Sequence, residues 1–345
     1  MRCGIVQART VVIAKILYHK DMRRIRCAKM TSHDKALWPA PLRPIARGAL
    51  RLWARTGWKS YARYLTAERL APRISSGPIA TRLPDGSVMR CDFSDFVQRQ
   101  IYFAGLFEPI EAYLFLKMIG PGMTVFDVGA NCGQYTLLGA RAVGASGAMH
   151  SFEPIPETFR ILEQHVRLNG LGNVTLNQAA LWNEATELSL GGAPGLQAQS
   201  GRWSAGFAAT DPSAVKVRAI RFDDYVHEHG VSRIDLIKID IEGAEPFMLQ
   251  GARESLERFR PVFLMEVNGK AMDRLGWTPQ RLWGELKPLG YRAFQVGQSP
   301  RRSGPILDFD AVEFANVIFH VKDLPAEITS GWDRRPVKRW ACSGW

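Results

Sequence analysis

The stretch that decides the fold is VFDVGANCGQYT (residues 125–136), in which a short apolar strand pattern runs directly into a glycine-containing turn. A dinucleotide fingerprint, GxGxxG, needs a middle glycine so that the backbone can approach a pyrophosphate. That position is Asn131 here, between Gly129 and Gly133. The strand also carries Asp127 near its end, and a carboxylate at this turn repels a pyrophosphate but attracts a cationic group. The turn therefore favours a ligand with positive charge over a doubly anionic dinucleotide.

Short β-rich segments alternate with helical segments around this stretch. The predicted strands lie in TVFDVG (124–129), AMHSFEP (148–154), NVTLNQAAL (173–181), DLIKIDIEG (235–243) and PVFLMEV (261–267). The predicted helices cover residues 109–119, 135–143, 156–168, 246–259 and 279–289. This alternation predicts an α/β fold with a doubly wound, mostly parallel sheet. YRAFQV (291–296) and ANVIFH (315–320) have no helix between them, so they predict a closing antiparallel hairpin at the sheet edge.

One segment, residues 191–213, interrupts this alternation. It is rich in Gly, Ala, Ser and Gln and carries Trp203 near its centre. A connection of this length in a compact domain is more often a lid or a binding loop than a random insertion. Trp203 is therefore a candidate substrate contact, and a surface excursion without function is the alternative.

The positive charge of the chain is concentrated at its start. The formal net charge is +12, and residues 1–70 carry 16 of the 45 basic residues but three of the 33 acidic ones. The remaining residues are close to neutral. With 46% hydrophobic and 23% charged residues, the composition excludes a wholly disordered chain, a collagen-like fibre and a bundle of transmembrane helices.

Five basic side chains recur every four residues within residues 43–63, interleaved with apolar ones: Arg47, Arg51, Arg55, Lys59 and Arg63. This spacing predicts an amphipathic helix with one basic side, which suits an anionic membrane surface better than nucleic acid. A solvated helix face that packs onto the rest of the protein is the alternative. Met22 and Met30 are alternative translation starts to Met1, so residues 1–29 are assigned no function.

The predicted organisation has four parts. Residues 1–70 form a basic extension that is partly disordered or helical, residues 71–122 a strand and helix lead-in, residues 123–325 the main domain, and residues 326–345 a tail. The five cysteines include no CxxC pair, which predicts neither a disulfide framework nor a thiolate zinc site. No segment resembles a membrane span or a signal-peptide core. We therefore expect a cytoplasmic protein, and the alternative is a cytoplasmic protein in peripheral contact with the inner membrane face.

Glu153 ends the strand after the glycine turn, 20 residues past Gly133. An acid at this place can accept hydrogen bonds from both hydroxyls of a ribose. Asp127, the glycine turn and Glu153 together predict an adenosyl ligand with a cationic amino-acid arm, and S-adenosylmethionine (SAM) has these features. The alternative is structural, since the glycines can serve turn geometry and the two acids can cap helices.

Five blocks resemble the FkbM-type methyltransferases in order and spacing: VFDVGANCGQYTLLGA, SFEPIPETF, RLNGLGNV, FDDYV and IDLIKIDIEGAE. The resemblance covers about Leu83 to Phe319. It implies a Rossmann-like class I fold, SAM as cofactor, and methyl transfer to hydroxyls of sugars, polyketides and other secondary metabolites. The implied cofactor contacts are Asp127, Gly129, Asn131 and Gly133 at the methionine part, Glu153 at the ribose, and Ala180 and Leu181 near the adenine edge, and Tyr135 is a further candidate cofactor contact. His165 and Cys132 depart mildly from the family pattern.

The segment DLIKIDIEG carries the candidate catalytic residues Lys238, Asp240 and Glu242. Because they alternate, they share one face of a strand, and charges in a buried strand are costly unless they are paired or functional. A carboxylate beside the transferred methyl group can orient or deprotonate a hydroxyl. We therefore expect Asp240 to act on the acceptor with Lys238 beside it. A purely structural ion pair is the alternative.

Two further acids are candidate substrate contacts, Glu108 in GLFEPIE and Glu266 in FLMEVN. Asp240 and Glu266 could form part of a cation site, but two carboxylates are too few, so no metal is predicted. The leading function is a SAM-dependent O-methyltransferase for a glycan or metabolite hydroxyl. One alternative is a nucleic-acid or protein N-methyltransferase recruited by the basic arm, which the IDIEG sequence disfavours because it replaces an NPPY-like tetrapeptide. The other is a non-catalytic SAM-binding, membrane-docking module.

Overall fold

The computed structural model describes residues 40–56, 77–192, 203–297 and 303–329. The chain divides at Pro78 into two units. In the first unit, a short 3₁₀ turn leads into helix α1 (Arg43–Thr56), which confirms the first part of the predicted basic helix. Its predicted continuation over residues 57–63 lies outside the described residues, as do the expectations for residues 1–39 and 330–345. Within the described ranges, no helix is long and apolar enough to cross a membrane.

The second unit contains fourteen described strands and ten described helices. In chain order they are β1 (Ile79–Arg82), β2 (Val88–Cys91), α2 (Phe96–Ala104), α3 (Pro109–Met118), β3 (Thr124–Val128), α4 (Gln134–Val143), β4 (Ala148–Phe152), α5 (Pro156–Leu168), β5 (Val174–Asn177), β6 (Ala180–Trp182), β7 (Thr186–Gly192), β8 (Trp203–Ser204), β9 (Val215–Arg221), α6 (Phe222–Glu228), β10 (Leu236–Ile239), α7 (Glu245–Gln250), α8 (Arg253–Phe259), β11 (Val262–Asn268), α9 (Gly269–Asp273), α10 (Pro279–Leu286), β12 (Arg292–Val296), β13 (Gly304–Pro305), β14 (Phe314–His320) and α11 (Ala326–Thr329).

The central sheet has eight strands in the order β13-β12-β14-β11-β10-β3-β4-β5. The five strands from β11 to β5 are parallel, and β14 and β12 add an antiparallel hairpin at the β11 edge. Its middle strands are buried along nearly their whole length, as expected when helices cover both faces of a sheet. The α/β fold, the mostly parallel sheet and the closing hairpin are therefore confirmed.

The strand order reverses between β3 and β10. From β3 the chain proceeds through β4 and β5 in one direction, and from β10 it proceeds through β11 in the other. In open α/β sheets such a reversal opens a crevice at the carboxyl ends of the strands, where ligands bind. The glycine turn follows β3 and the candidate catalytic acids follow β10, so both lie at this crevice.

A second sheet, in the order β6-β9-β7-β8, was not predicted. NVTLNQAAL was expected to form one strand, but it forms β5 in the central sheet and β6 in the second. The second sheet has its own small core of Ile155, Leu190 and Val217. Residues 191–213 therefore begin in β7, contain β8 and end in the turn before β9, and residues 193–202 lie outside the described ranges.

The predicted helix over residues 246–259 is in fact two helices, α7 and α8. The helix is interrupted at Gly251, where a Cβ would lie 2.1 Å from the carbonyl oxygen of Trp182. The helix predicted over residues 279–289 ends at Leu286 and continues as a 3₁₀ turn. The helices predicted over residues 109–119, 135–143 and 156–168 are confirmed to within one residue at each end.

Candidate active site

Two neighbouring cavities open at the strand-order reversal. The larger, which we call the main cavity, encloses about 1060 Å³ including the solvent at its mouth. The smaller, which we call the acidic cavity, encloses about 210 Å³ and is lined by Glu108, Glu111 and Glu266 among other residues. Three predicted site residues line both cavities: Tyr135, Lys238 and Asp240. The two cavities therefore meet at the candidate catalytic lysine and aspartate.

Most of the predicted site residues line one of these cavities. Those that line the main cavity are Gly129, Asn131, Tyr135, Glu153, Ala180, Leu181, Trp203, Lys238, Asp240 and Glu242. The acidic cavity takes Glu108 and Glu266. Asp127 and Gly133 line neither cavity. Sequence elements as much as 158 residues apart, from Glu108 to Glu266, thus converge on one crevice.

The two glycines of the turn are required by the packing of the protein on itself. Gly129 has φ +81°, and a Cβ there would lie 2.0 Å from the carbonyl oxygen of Asp240. Gly133 has φ +94°, and its Cβ would lie 2.7 Å from the side chain of Leu162. These contacts support the turn-geometry interpretation of both glycines. Gly129 in particular lets the ends of β3 and β10 approach each other closely.

Asp127 lies beneath the turn, not in the cavity. Its side chain has no exposed surface, and its Oδ2 accepts a hydrogen bond from the hydroxyl of Thr136 at 2.7 Å. Its Oδ1 lies 4.0 Å from Nζ of Lys238 and has no hydrogen-bond partner among the described residues. Burial raises the pKa of Asp127, while Lys238 and Thr136 oppose the rise. The predicted direct contact between Asp127 and a ligand is therefore corrected: this carboxylate fixes Thr136 and faces Lys238.

Glu153 lies at the edge of the main cavity with its carboxylate held by two backbone amides. Oε1 accepts a hydrogen bond from the amide of Ile155 at 2.9 Å, and Oε2 accepts one from the amide of Asn131 at 3.0 Å. Burial raises the pKa of Glu153 to about 7, although both amides lower it. Each carboxylate oxygen has a second lone pair, so the group can still accept hydrogen bonds from a ligand.

Lys238 is the central cation of the site. Its Nζ lies 3.5 Å from Oδ2 of Asp240, 3.5 Å from the carbonyl oxygen of Gly129 and 5.0 Å from the ring centre of Tyr135. Burial lowers the pKa of Lys238, but the carboxylates around it, led by Asp240 and Asp127, outweigh burial and raise it. The ammonium group therefore stays charged. Asp240 keeps 26% of its side chain exposed, which leaves it accessible from the cavities.

The acidic cavity concentrates carboxyl groups that are hard to ionise together. Burial raises the pKa of Glu108 well above its usual value, and Glu111 and Asp240 raise it further. Burial and the charge of Asp240 likewise raise the pKa of Glu266. Glu111 accepts a hydrogen bond from the Asn316 side chain at 3.0 Å. Within the part of the chain that the structure describes, no group of three or more His, Cys, Asp or Glu side chains is arranged to hold a metal ion.

Three residues at the cavities adopt a left-handed backbone conformation that is uncommon for residues other than glycine. They are Glu108 (φ +47°), Asn131 (φ +51°) and Glu242 (φ +55°). The described ranges contain one further example, Arg260, at the end of α8. Backbone strain of this kind persists only where the surrounding structure enforces it, and it clusters at functional sites.

Sequence reasoning missed several residues that hold the site together. The side chain of Gln134 both accepts from the amide of Phe107 and donates to its carbonyl, each at 2.8 Å, which fixes the segment before Glu108. His165 accepts a hydrogen bond from the amide of Arg90 at Nε2 and lies 2.7 Å from the Cys132 carbonyl at Nδ1. The departure from the family pattern at His165 was a usable signal, whereas Gln134 gave none.

Part of the chain matches a family model and curated relatives. Residues 127–293 match the model of the FkbM methyltransferase domain. The chain is 28% identical to the 31-O-demethyl-FK506 methyltransferase FkbM of Streptomyces tacrolimicus, over 39% of this chain and 61% of that protein. It is also 28% identical to Methyltransferase 1 of Beauveria bassiana, over 37% of this chain and 57% of that protein. The chain therefore spans about six-tenths of the length of the curated relatives that it matches.

Two solved structures show a more distant likeness. The methyltransferase FkbM of Methylobacillus flagellatus has 15% identity and a TM-score of 0.40, over 82% of this chain and 60% of that one. SMU.1697c of Streptococcus mutans, solved in complex with SAH, has 10% identity and a TM-score of 0.36, over 62% of this chain and 98% of that one. Because both TM-scores are below 0.5, the fold is assigned from the strand order of the central sheet alone.

Proposed function

We propose that the chain is a SAM-dependent O-methyltransferase that acts on a hydroxyl group of a glycan or secondary metabolite, because residues 127–293 match the model of the FkbM methyltransferase domain. The observation that carries the proposal is the position of Asp240. Its carboxylate lies where the two cavities meet and stays accessible, with the charged Lys238 at 3.5 Å. The name of the Streptomyces relative, which specifies a 31-O position, supports oxygen as the acceptor atom.

The residues of the main cavity fit SAM by charge and shape. Three carboxylates, those of Glu153, Asp240 and Glu242, line it together with one ammonium group, that of Lys238, which suits a cationic ligand. Glu153 would accept hydrogen bonds from the ribose hydroxyls. The apolar side chains of Ala180, Leu181 and Trp182 would contact the adenine, and the loop 129–132 the methionine part. When bound, SAM supplies a methyl group on an activated sulfonium centre.

The chain's own residues then need to orient the acceptor and remove one proton. Asp240 would accept a hydrogen bond from the acceptor hydroxyl and take its proton as the oxygen bonds to the methyl carbon and the bond from that carbon to the sulfonium sulfur breaks, which leaves a neutral thioether. Lys238 holds the Asp240 carboxylate in place and stabilises its charge. Glu108 and Glu266 face the same point from the acidic cavity, where carboxyl groups with raised pKa can donate hydrogen bonds to further acceptor hydroxyls.

The test is a label-transfer experiment with the full chain. The protein is incubated with methyl-labelled SAM and separate fractions of glycans, small molecules, lipids, RNA and protein. We expect the label in a hydroxyl-bearing glycan or metabolite. Label in nucleic acid or protein would favour the N-methyltransferase alternative, and SAM binding without transfer to any fraction would favour a non-catalytic binding module.

Asp240→Asn separates binding from chemistry. We expect it to keep SAM affinity, measured by calorimetry, and to lower turnover by roughly 10²- to 10⁴-fold, the usual contribution of a positioned general base. Asp310→Asn, an exposed aspartate in a loop, is the matched control and should change neither quantity. Full turnover in Asp240→Asn would overturn the role given to this carboxylate.

The proposal extends to peripheral contact with an anionic membrane through residues 43–63. The described part, α1, presents Ile45 with 69% of its surface exposed, next to Leu42 with 47%. Apolar side chains beside regularly spaced arginines are typical of interfacial helices. The full chain with Arg47→Gln, Arg51→Gln and Arg55→Gln should sediment less with anionic vesicles and keep its SAM affinity. Equal sedimentation of this variant and the wild type would refute the membrane contact.

A further inference from the structure

The turn that follows β10 has an unusual conformation. After Asp240, the backbone passes through Glu242 at φ +55° and Gly243 at φ +98°. A Cβ at Gly243 would lie 2.5 Å from the backbone of Ala271, so the turn packs tightly against α9. Asp240 and Glu242 both line the main cavity, and the path of this turn decides where their carboxylates point.

Glu245, the first residue of α7, holds this turn from within the protein. Its Oε1 accepts hydrogen bonds from the amides of Ile241 at 3.1 Å and Gly243 at 3.3 Å. The side chain is 1% exposed, and Oε2 has no hydrogen-bond partner among the described residues. A buried carboxylate with one oxygen unsatisfied is costly, so a role beyond packing is needed to explain it.

A second contact holds the same turn from the opposite side. The hydroxyl of Ser204, at the end of β8, donates a hydrogen bond to the carbonyl of Glu242 at 2.9 Å. The amide of Asp240 donates to the carbonyl of Val128 at 3.1 Å. Four consecutive residues, 240–243, are thus fixed by β3, β8 and α7. Glu245 supplies two of these four hydrogen bonds.

We infer that Glu245 is a positioning residue, which rests on the function proposed above: its carboxylate sets the turn that directs Asp240 and Glu242 at the acceptor. Capping of the short helix α7 is the competing explanation. The two differ in where the effect of a substitution appears. A positioning residue acts through Asp240, whereas a helix cap acts on the stability of the whole domain.

The test compares Glu245→Ala, Glu245→Gln and the control Glu254→Ala, an exposed residue on α8, in the full chain. We expect Glu245→Ala to lower kcat at least tenfold, with SAM affinity within threefold of the wild type. Glu245→Gln keeps an oxygen acceptor for both amides and should restore most of the lost kcat. In an Asp240→Asn background, Glu245→Ala should lower the residual turnover less than threefold, because residues that act as a unit are not additive.

Hydrogen exchange of the peptide that contains residues 238–245 gives a readout that does not depend on turnover. Glu245→Ala should raise exchange at the amides of Ile241 and Gly243 at least tenfold, and Glu254→Ala should not. Unchanged exchange, or an undiminished loss of turnover in the Asp240→Asn background, would overturn the inference. If Glu245→Ala does not fold, Glu245→Gln provides the test. The inference would be overturned if Glu245→Gln exchanged these amides at the wild-type rate and still lost kcat. Failure of the proposed function would appear instead as no transfer by the wild type.

Discussion

Replacing Gly129 with alanine tests the close approach of β3 and β10 on which the site depends. The new Cβ would lie 2.0 Å from the carbonyl oxygen of Asp240, and contacts below 3.0 Å are essentially never seen, so the strand ends must separate by about 1 Å. A left-handed φ costs an alanine about 1–2 kcal/mol. Overpacking of this kind adds about 1–3 kcal/mol. We therefore expect Gly129→Ala to lower the free energy of unfolding by about 2–5 kcal/mol.

Gly290→Ala is the matched control. Gly290 has φ +82°, against +81° at Gly129, but among the described residues, its two chain neighbours apart, no atom lies within 4 Å of the position of its Cβ. Its substitution should therefore cost only the conformational part, about 1–2 kcal/mol. Urea unfolding of both variants at an unchanged m value measures the difference. If the two substitutions lower the free energy of unfolding equally, the expected clash between a Cβ at position 129 and the carbonyl of Asp240 is wrong.

The same displacement should also lower the rate of methyl transfer. Asp240 would move with its carbonyl, and a shift of about 1 Å in a reacting group can lower turnover roughly 10²-fold. Folded Gly129→Ala should therefore have a much lower kcat than folded Gly290→Ala, measured by transfer of labelled methyl groups. Equal kcat values in the two variants would show that the β10 terminus does not depend on the turn at Gly129.

Three further predictions concern single side chains. Glu153→Gln should weaken SAM binding about 10- to 100-fold, since a charged hydrogen-bond acceptor is lost. Calorimetry should also show that the affinity of the wild type for SAM falls as the pH drops through about 7, because Glu153 is then protonated, and that the affinity of the variant does not. Burial lowers the pKa of His165, so the folded state resists protonation. Stability due to His165 should therefore be lost as the pH falls below about 6.5, by up to about 1.4 kcal/mol per unit, and urea titrations of His165→Gln should lack this part. Trp203→Ala should raise the KM for the acceptor severalfold with kcat nearly unchanged, and an unchanged KM would exclude Trp203 from the acceptor site.

The central sheet could be predicted because its strands and helices have different periods. Buried parallel strands appear as short apolar runs, and the helices between them repeat their apolar residues every three to four positions. The break between α7 and α8 could not be predicted in this way, because it lies where Gly251 approaches the carbonyl of Trp182, which is distant in the sequence. The division of residues 173–181 between two sheets has the same origin. Val174–Asn177 pair with β4 and Ala180–Trp182 pair with β9, and one apolar run cannot show two partners.

The sequence predicts which residues form the candidate site, but not which of them lie buried beneath the cavity. Asp240 and Glu153 follow the ends of β10 and β4, Lys238 is the last residue but one of β10, and the carboxyl ends of parallel strands meet at one edge. The sequence could not show that Asp127, with the same charge and a similar place, lies under the turn. Its burial results from the hydroxyl of Thr136 and the position of Lys238, both of which are tertiary contacts.

The left-handed residues at the cavities make a physical argument for function that no sequence pattern contains. Asn131 tolerates this conformation, but Glu108 and Glu242 do so only at a cost of about 1–2 kcal/mol each. Glycine would remove that cost and would also remove the carboxylate from the cavity. Around Glu108 the strain is enforced by the double contact between Gln134 and Phe107, and around Glu242 by Ser204 and the amides held by Glu245. A structure that fixes two strained glutamates from several sides, beside an accessible aspartate, is organised to present carboxylates in one crevice.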